Sequence, residues 1–206
     1  MTLAAPATAV TPAVDVVFDA AGTTLPVEYA QPLLAAVAQV LPWMTDAGGV
    51  HALRTAPTGY GQVLLPARAK LRLRVPEARA EDALRLAHQR LAVADQEVRI
   101  GAGTMRPLLP AATLAAQKVA SDAADTAAFE REVAAALAAL GIDARFIAGG
   151  TRRAVLPGRT VSGHALTVHG LRPDESLRLQ AAGLGGDRAL GWGLFLPAKL
   201  IAGIDP

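Results

Sequence analysis

Gly183-Leu-Gly-Gly-Asp-Arg-Ala-Leu-Gly-Trp-Gly193 contains two Gly-apolar-Gly triplets separated by five residues, one of them the basic Arg188. Glycine suits positions where the backbone takes positive φ or lies against another backbone. Five glycines in eleven residues predict a loop shaped to receive the backbone of a ligand, with Gly185, Gly186 and Arg188 as its contacts. A helical segment precedes it, opening at Pro173 with Asp174 and Glu175 in its first turn. An apolar run from Leu194 to Ile201 follows and reads as a strand. Dinucleotide-binding loops are also glycine-rich, but they leave a strand and open a helix. The order here is reversed, so that reading fails.

Working outward from the loop, Leu114 to Ala120 reads as a strand, and Asp125 can cap a helix. In that helix Phe129, Val133, Leu137 and Leu140 form one stripe, and Gly141 stands past its end. Ala144–Ala148 and Val161–Val168 read as strands with an Arg-rich turn, 149–159, between them. The earlier part of the chain has a similar order. Val14–Phe18 is a strand, and Thr24 can cap a helix that begins near Pro26 and ends at Pro42. A short run from Val50 to Arg54 follows, then strands at Gln62–Leu65 and Lys70–Val75. A helix from about Pro76 to Leu91 and a strand at Gln96–Ile100 complete the set. Strand-helix-strand-strand-helix-strand is the ferredoxin-like order. The expected fold class is therefore α+β: two ferredoxin-like (RRM-like) βαββαβ halves in tandem, 13–103 and 112–206, after a disordered tail at 1–12 that lacks the basic start of a signal peptide.

Composition narrows the chemistry. The core is aliphatic, since 52% of the 206 residues are hydrophobic and only 4% aromatic. The densest apolar run, Val133 to Leu140, is far shorter than the roughly 18 residues a membrane helix needs. There is no cysteine, which excludes disulfides and thiolate metal sites and fits the cytoplasm. The four histidines show no paired-ligand spacing, so neither a metal nor a cofactor is expected. A net charge of +2 with a pI near 9.4 leans mildly toward an acidic partner.

The glycine loop near the C-terminus resembles that of the Cas6 family, CRISPR-associated endoribonucleases that cut precursor CRISPR RNA within its repeats. Val14-Asp-Val-Val-Phe-Asp19, Gly22-Thr-Thr-Leu-Pro26, Leu41-Pro-Trp43 and Arg106-Pro-Leu-Leu-Pro110 resemble the branch found in myxobacterial-type type I systems. The resemblance implies a hairpin repeat cut at the 3′ base of its stem. It also implies a guide-bound product, other Cas subunits as partners, and a catalytic histidine in or just after the first helix. His51, in Gly48-Gly-Val-His51, meets that description. A solvated or turn-capping histidine is the competing reading.

Metal-free RNA cleavage needs few groups. The 2′-hydroxyl is itself the nucleophile, and the protein moves two protons and stabilises charge on the phosphate. His164 on its strand is the runner-up to His51. His88 on a helix edge and His169 at a strand end read as structural, and Tyr29 or Tyr60 could serve as acid or base. Expected RNA contacts are Arg54, the alternating Lys70, Arg72 and Arg74, the hairpin arginines Arg152, Arg153 and Arg159, and the loop's Gly185, Gly186 and Arg188. The candidate central strands carry no stacking aromatics, so recognition should rest on charge and stem shape. A catalytically inactive hairpin-binding subunit and a small-ligand ferredoxin-like pair are the rival readings.

Overall fold

A strand that alternates Lys70, Arg72 and Arg74 with Leu71, Leu73 and Val75 needs an apolar layer on one side and partners for charge on the other. The computed structural model, which describes residues 10–198, supplies both. Its first half runs β1 (Ala13–Ala21), β2 (Thr24–Pro26), α1 (Ala30–Val40), α2 (Met44–Ala47), β3 (Gly49–Val50), β4 (Ala56–Gly59), β5 (Gln62–Leu64), β6 (Ala69–Pro76), α3 (Ala80–Ala83), β7 (Arg90–Val93) and β8 (Gln96–Pro107). The second half runs β9 (Thr113–Ala120), α4 (Thr126–Ala139), β10 (Arg145–Leu156), β11 (Arg159–His169), α5 (Pro173–Ala182) and β12 (Leu196–Pro197). Residues 108–112 connect the two.

The large sheet of the first half has the order β3-β6-β1-β8-β7, and that of the second β10-β11-β9-β12. All these neighbours are antiparallel. Counting only the strands of the βαββαβ unit, both sheets read 2-3-1-4, so the tandem ferredoxin-like arrangement is present. A small sheet, β2-β5-β4, flanks the first half. Phe18, Leu33, Val37, Leu71 and Leu73 lie in one core, and Leu114, Phe129, Val133, Leu166, Leu179 and Phe195 in the other. No helix among the described residues is long and apolar enough to cross a membrane.

Several elements differ from their sequence reading. The first helix starts at Ala30, not near Pro26, because Thr24 to Pro26 pair with β5 and Thr24 is a strand residue, not a cap. The helix expected to reach Leu91 stops at Leu86, broken into two 3₁₀ turns around one α-turn. His88 then takes positive φ in an exposed turn, and Leu91 points inward from a strand of the β7–β8 hairpin. The Arg-rich turn is a long hairpin, with only Pro157 and Gly158 between β10 and β11. Arg152 and Arg153 are therefore strand residues. The tail expected at 1–12 lies outside the described residues up to 9, as does the end of the last strand beyond 198.

Two local readings hold in detail. Asp125 accepts the Ala128 N–H at 2.7 Å as the cap of α4. Glu175, fully buried, accepts the Arg172 N–H at 2.9 Å and the Asp143 N–H at 3.1 Å, tying the start of α5 to the end of α4.

Candidate active site between the two halves

β3 has two residues, yet it sets the position of His51. Val50 pairs with Leu73, and the His51 N–H donates to the Arg72 carbonyl at 3.0 Å. The ring thus lies beside the charged face of β6 and is only 7% exposed. Its Nε2 stands 3.8 Å from Asp15 Oδ1 and is a buried polar atom without a hydrogen-bond partner among the described residues. Burial, first, and the positive charges of Arg74, Arg72 and Arg188 push its pKa down to about 3, against the upward pull of Asp15. His51 is a neutral imidazole at physiological pH.

Asp15, which favours the charged imidazole, is itself engaged by arginines. Arg74 Nε donates to Asp15 Oδ1 at 2.8 Å, and Nη2 to Oδ2 at 3.0 Å. Arg74 Nη1 crosses to the second half, donating to the Gln180 carbonyl at 3.0 Å and the Phe195 carbonyl at 2.7 Å. This guanidinium is 0% exposed. The expectation that Arg74 belongs to an RNA-binding face is corrected: it joins the two halves and has no surface to offer a phosphate. Arg72 donates to Asp15 Oδ2 at 3.2 Å, and Lys70 pairs with Asp19. The basic face of β6 is matched, strand to strand, by the carboxylates of β1.

A cavity of about 240 Å³ opens beside His51. Tyr29 and His51 line it from the first half, and Lys118, Arg152, Arg153 and Trp192 from the second. A smaller one, about 70 Å³, is shared by His51, Lys118, Gly191 and Leu194. Tyr29 donates its hydroxyl to the Leu53 carbonyl at 3.2 Å. Tyr60, the other tyrosine considered, is fully exposed at the β4–β5 turn and lies outside this cavity.

Lys118 was missed by the sequence reading. Strict alternation from Leu114 and Ala116 would bury it in the core. In the structure His164 pairs with Val119 and Leu166 with Ala116, so β9 carries one residue more than β11 between these points. That bulge turns Lys118 toward the other half. Its ammonium donates to the Leu190 carbonyl at 3.0 Å and lies 5.1 Å from the centre of the Trp192 ring. Burial draws its pKa below the ordinary value, opposed by Glu28 and Asp187. His164, by contrast, stacks on Phe129 with centroids 4.6 Å apart and faces the core. Packing accounts for it.

The glycine loop serves the protein's own backbone at four of its five glycines. A Cβ on Gly193 would stand 1.9 Å from the Leu184 carbonyl oxygen, and one on Gly191 2.5 Å from that of Val50. Gly183 and Gly185 are equally confined, against Gly193 and Ala120. Only Gly186 has open space around it. Arg188 points inward, donating to the Ala182 carbonyl, and burial lowers its pKa to about 10. At these four positions the loop packs on the protein's own backbone and holds β3, while Gly185 and Gly186 remain exposed. Gly193→Ala, which adds both a clash and strain at φ 65°, should lower stability by more than about 2 kcal/mol in a urea melt. Arg159 pairs with Asp187, fastening the hairpin to the loop, and Arg54 is exposed.

Comparison with known proteins bears on the family and the fold. A family model described as Cas6 Crispr matches residues 14–200. The CRISPR-associated endonuclease Cas6 of Myxococcus xanthus is 35% identical over 187 residues, covering 89% of this chain and 81% of its own. A solved CRISPR-associated protein Cas6 superposes with a TM-score of 0.65 at 11% identity, over 91% of this chain and 100% of that one. A RAMP protein described as binding different RNA substrates gives 0.63 at 9% identity, over 90% and 100%. By family match and by its likeness to the Myxococcus endonuclease, the chain belongs to the Cas6 CRISPR family.

Proposed function

We propose that this chain is a metal-independent endoribonuclease that cuts the repeat stem-loop of precursor CRISPR RNA and stays bound to the guide. The observation that carries it is the cavity between the halves, where His51 and Tyr29 face Lys118, Arg152 and Arg153. The 2′-hydroxyl next to the scissile phosphate attacks it, and the neutral His51 accepts the hydroxyl proton. The arginines stabilise the charge that builds on the phosphate. Membership of the Cas6 family and the endonuclease named among its relatives support the substrate class.

The test is a labelled repeat hairpin incubated with the protein in EDTA. The expected products are a 2′,3′-cyclic phosphate and a 5′-hydroxyl; a metal requirement or a 3′-hydroxyl product would overturn the mechanism. The close burial of His51 favours one second reading, a hairpin-binding subunit without activity, for which the same assay gives binding and no cut.

Binding should rest on the exposed cations of the second half. Arg152, Arg153 and Arg159 are exposed on the β10–β11 hairpin, Arg159 in an ion pair with Asp187 of the glycine loop, whereas Lys70 and Arg72 are paired with the carboxylates of β1. Log affinity should fall with log salt by about 0.7 to 0.9 per phosphate neutralised. Replacing all three hairpin arginines with alanine should flatten that slope, as read by filter binding. An unchanged slope would remove the hairpin from the interface.

A further inference from the structure

We propose that Lys118 is the general acid of this reaction, giving a proton to the departing 5′-oxygen while His51 takes one from the 2′-hydroxyl. The proposal rests on the reading of the cavity as a ribonuclease site. Lys118 and His51 come from different halves, yet both line each of the two cavities at the junction. An attacking and a leaving oxygen lie on opposite sides of a phosphorus in in-line displacement, so two groups brought to one cavity by different halves suit the two proton transfers.

The surroundings of Lys118 are those of a donor held ready. An ammonium has three N–H bonds, and one is directed at the Leu190 carbonyl. The Trp192 face below it orients the cation without neutralising it. No carboxylate lies within ion-pair distance of Lys118 among the described residues, although Glu28 and Asp187 are near enough to favour its charged form. The other cations at the cavity, Arg152 and Arg153, cannot surrender a proton at any ordinary pH. The Tyr29 hydroxyl is engaged with Leu53, and burial raises its pKa further from neutrality. His51 is neutral and takes the acceptor's part, and among the cations at the cavity only Lys118 can serve as donor. Environments that separate two titratable groups in this way assign acid and base.

The step balances. The O2′–P bond forms as P–O5′ breaks, the 2′-hydroxyl proton passes to His51, and the Lys118 proton passes to O5′. The resulting imidazolium and neutral amine return to their starting states by proton exchange with water.

A sulfur leaving atom tests this directly, because a thiolate departs without being protonated. Two repeat hairpins are compared, one with the ordinary 5′-oxygen at the cut and one with 5′-sulfur. Lys118→Met should cut the oxygen substrate roughly 10² to 10⁴-fold more slowly than the parent, and the sulfur substrate within about tenfold of it. Lys118→Arg, which keeps the charge, should remain slow on oxygen and fast on sulfur. Affinity for a 2′-deoxy hairpin reports that each variant is folded. An equal loss on both substrates, or none on either, would overturn the assignment. A parent protein that leaves both substrates intact would instead defeat the ribonuclease reading, and the role of Lys118 with it.

Discussion

His51→Ala is expected to slow repeat cleavage by roughly 10² to 10⁴-fold while repeat affinity stays close to that of the parent. The separation follows from the structure: His51 is buried at the junction, and the exposed arginines are on the hairpin. Single-turnover cleavage and binding to a 2′-deoxy hairpin measure the two quantities independently. The loss should appear on the oxygen and sulfur substrates alike, because His51 acts on the attacking hydroxyl and not on the leaving group. Cleavage at the parental rate would remove His51 from the chemistry and turn attention to Tyr29 and Glu28, which line the same cavity.

Arg74→Met should cost about 3–5 kcal/mol of stability, because it leaves the buried Asp15 carboxylate with only the longer Arg72 bond and frees two carbonyls in the second half. That is a large part of the roughly 5–15 kcal/mol that holds an ordinary domain together. Removing both charges with Asp15→Asn and Arg74→Met together should restore part of the loss, since no lone charge then stays buried. Urea melts of the three variants decide it. A single variant as stable as the parent would mean that Arg74 does not join the halves.

Acid should weaken the same junction in two stages. His51 is held near 3 in the folded state against about 6.5 when unfolded, so only the unfolded chain gains its proton between those values. Stability should therefore fall with pH below about 6.5, at up to about 1.4 kcal/mol per unit for this one group. For Asp15, burial pushes the pKa up, but the hydrogen bond and charge of Arg74, with the charge of Arg72, hold it below the ordinary value. Its contribution is present above the unfolded pKa and is lost as pH falls through the lower folded one. His51→Gln should flatten the first stage and leave the second in place. A stability curve as steep as the parent's between pH 6.5 and 4 would show that His51 is not the group responsible.

Local pattern was enough for the element order. The stripe from Phe129 to Leu137, the Asp125 cap, the Pro173 start and the alternation of β6 each depend on neighbours a few residues away. Each survives in the structure because side-chain period and capping are short-range effects. Where a segment could pair with a distant strand, the local reading failed: Thr24 joined β5, and Arg90 to Val93 joined β8 instead of extending a helix.

The site divides along the same line. The nomination of His51 came from its place after the first helix, and Lys70, Arg72 and Arg74 were read correctly as one face. What lies across that face is a matter of how the halves dock. Tertiary structure alone decided that Arg74 is buried against Gln180 and Phe195, that Arg188 turns inward, and that four loop glycines meet the protein's own carbonyls. It also decided Lys118, whose side depends on a bulge that no alternation in β9 announces. Periodicity tells which side chains share a surface; only packing between residues distant in sequence settles whether that surface meets water, ligand or the other half of the molecule.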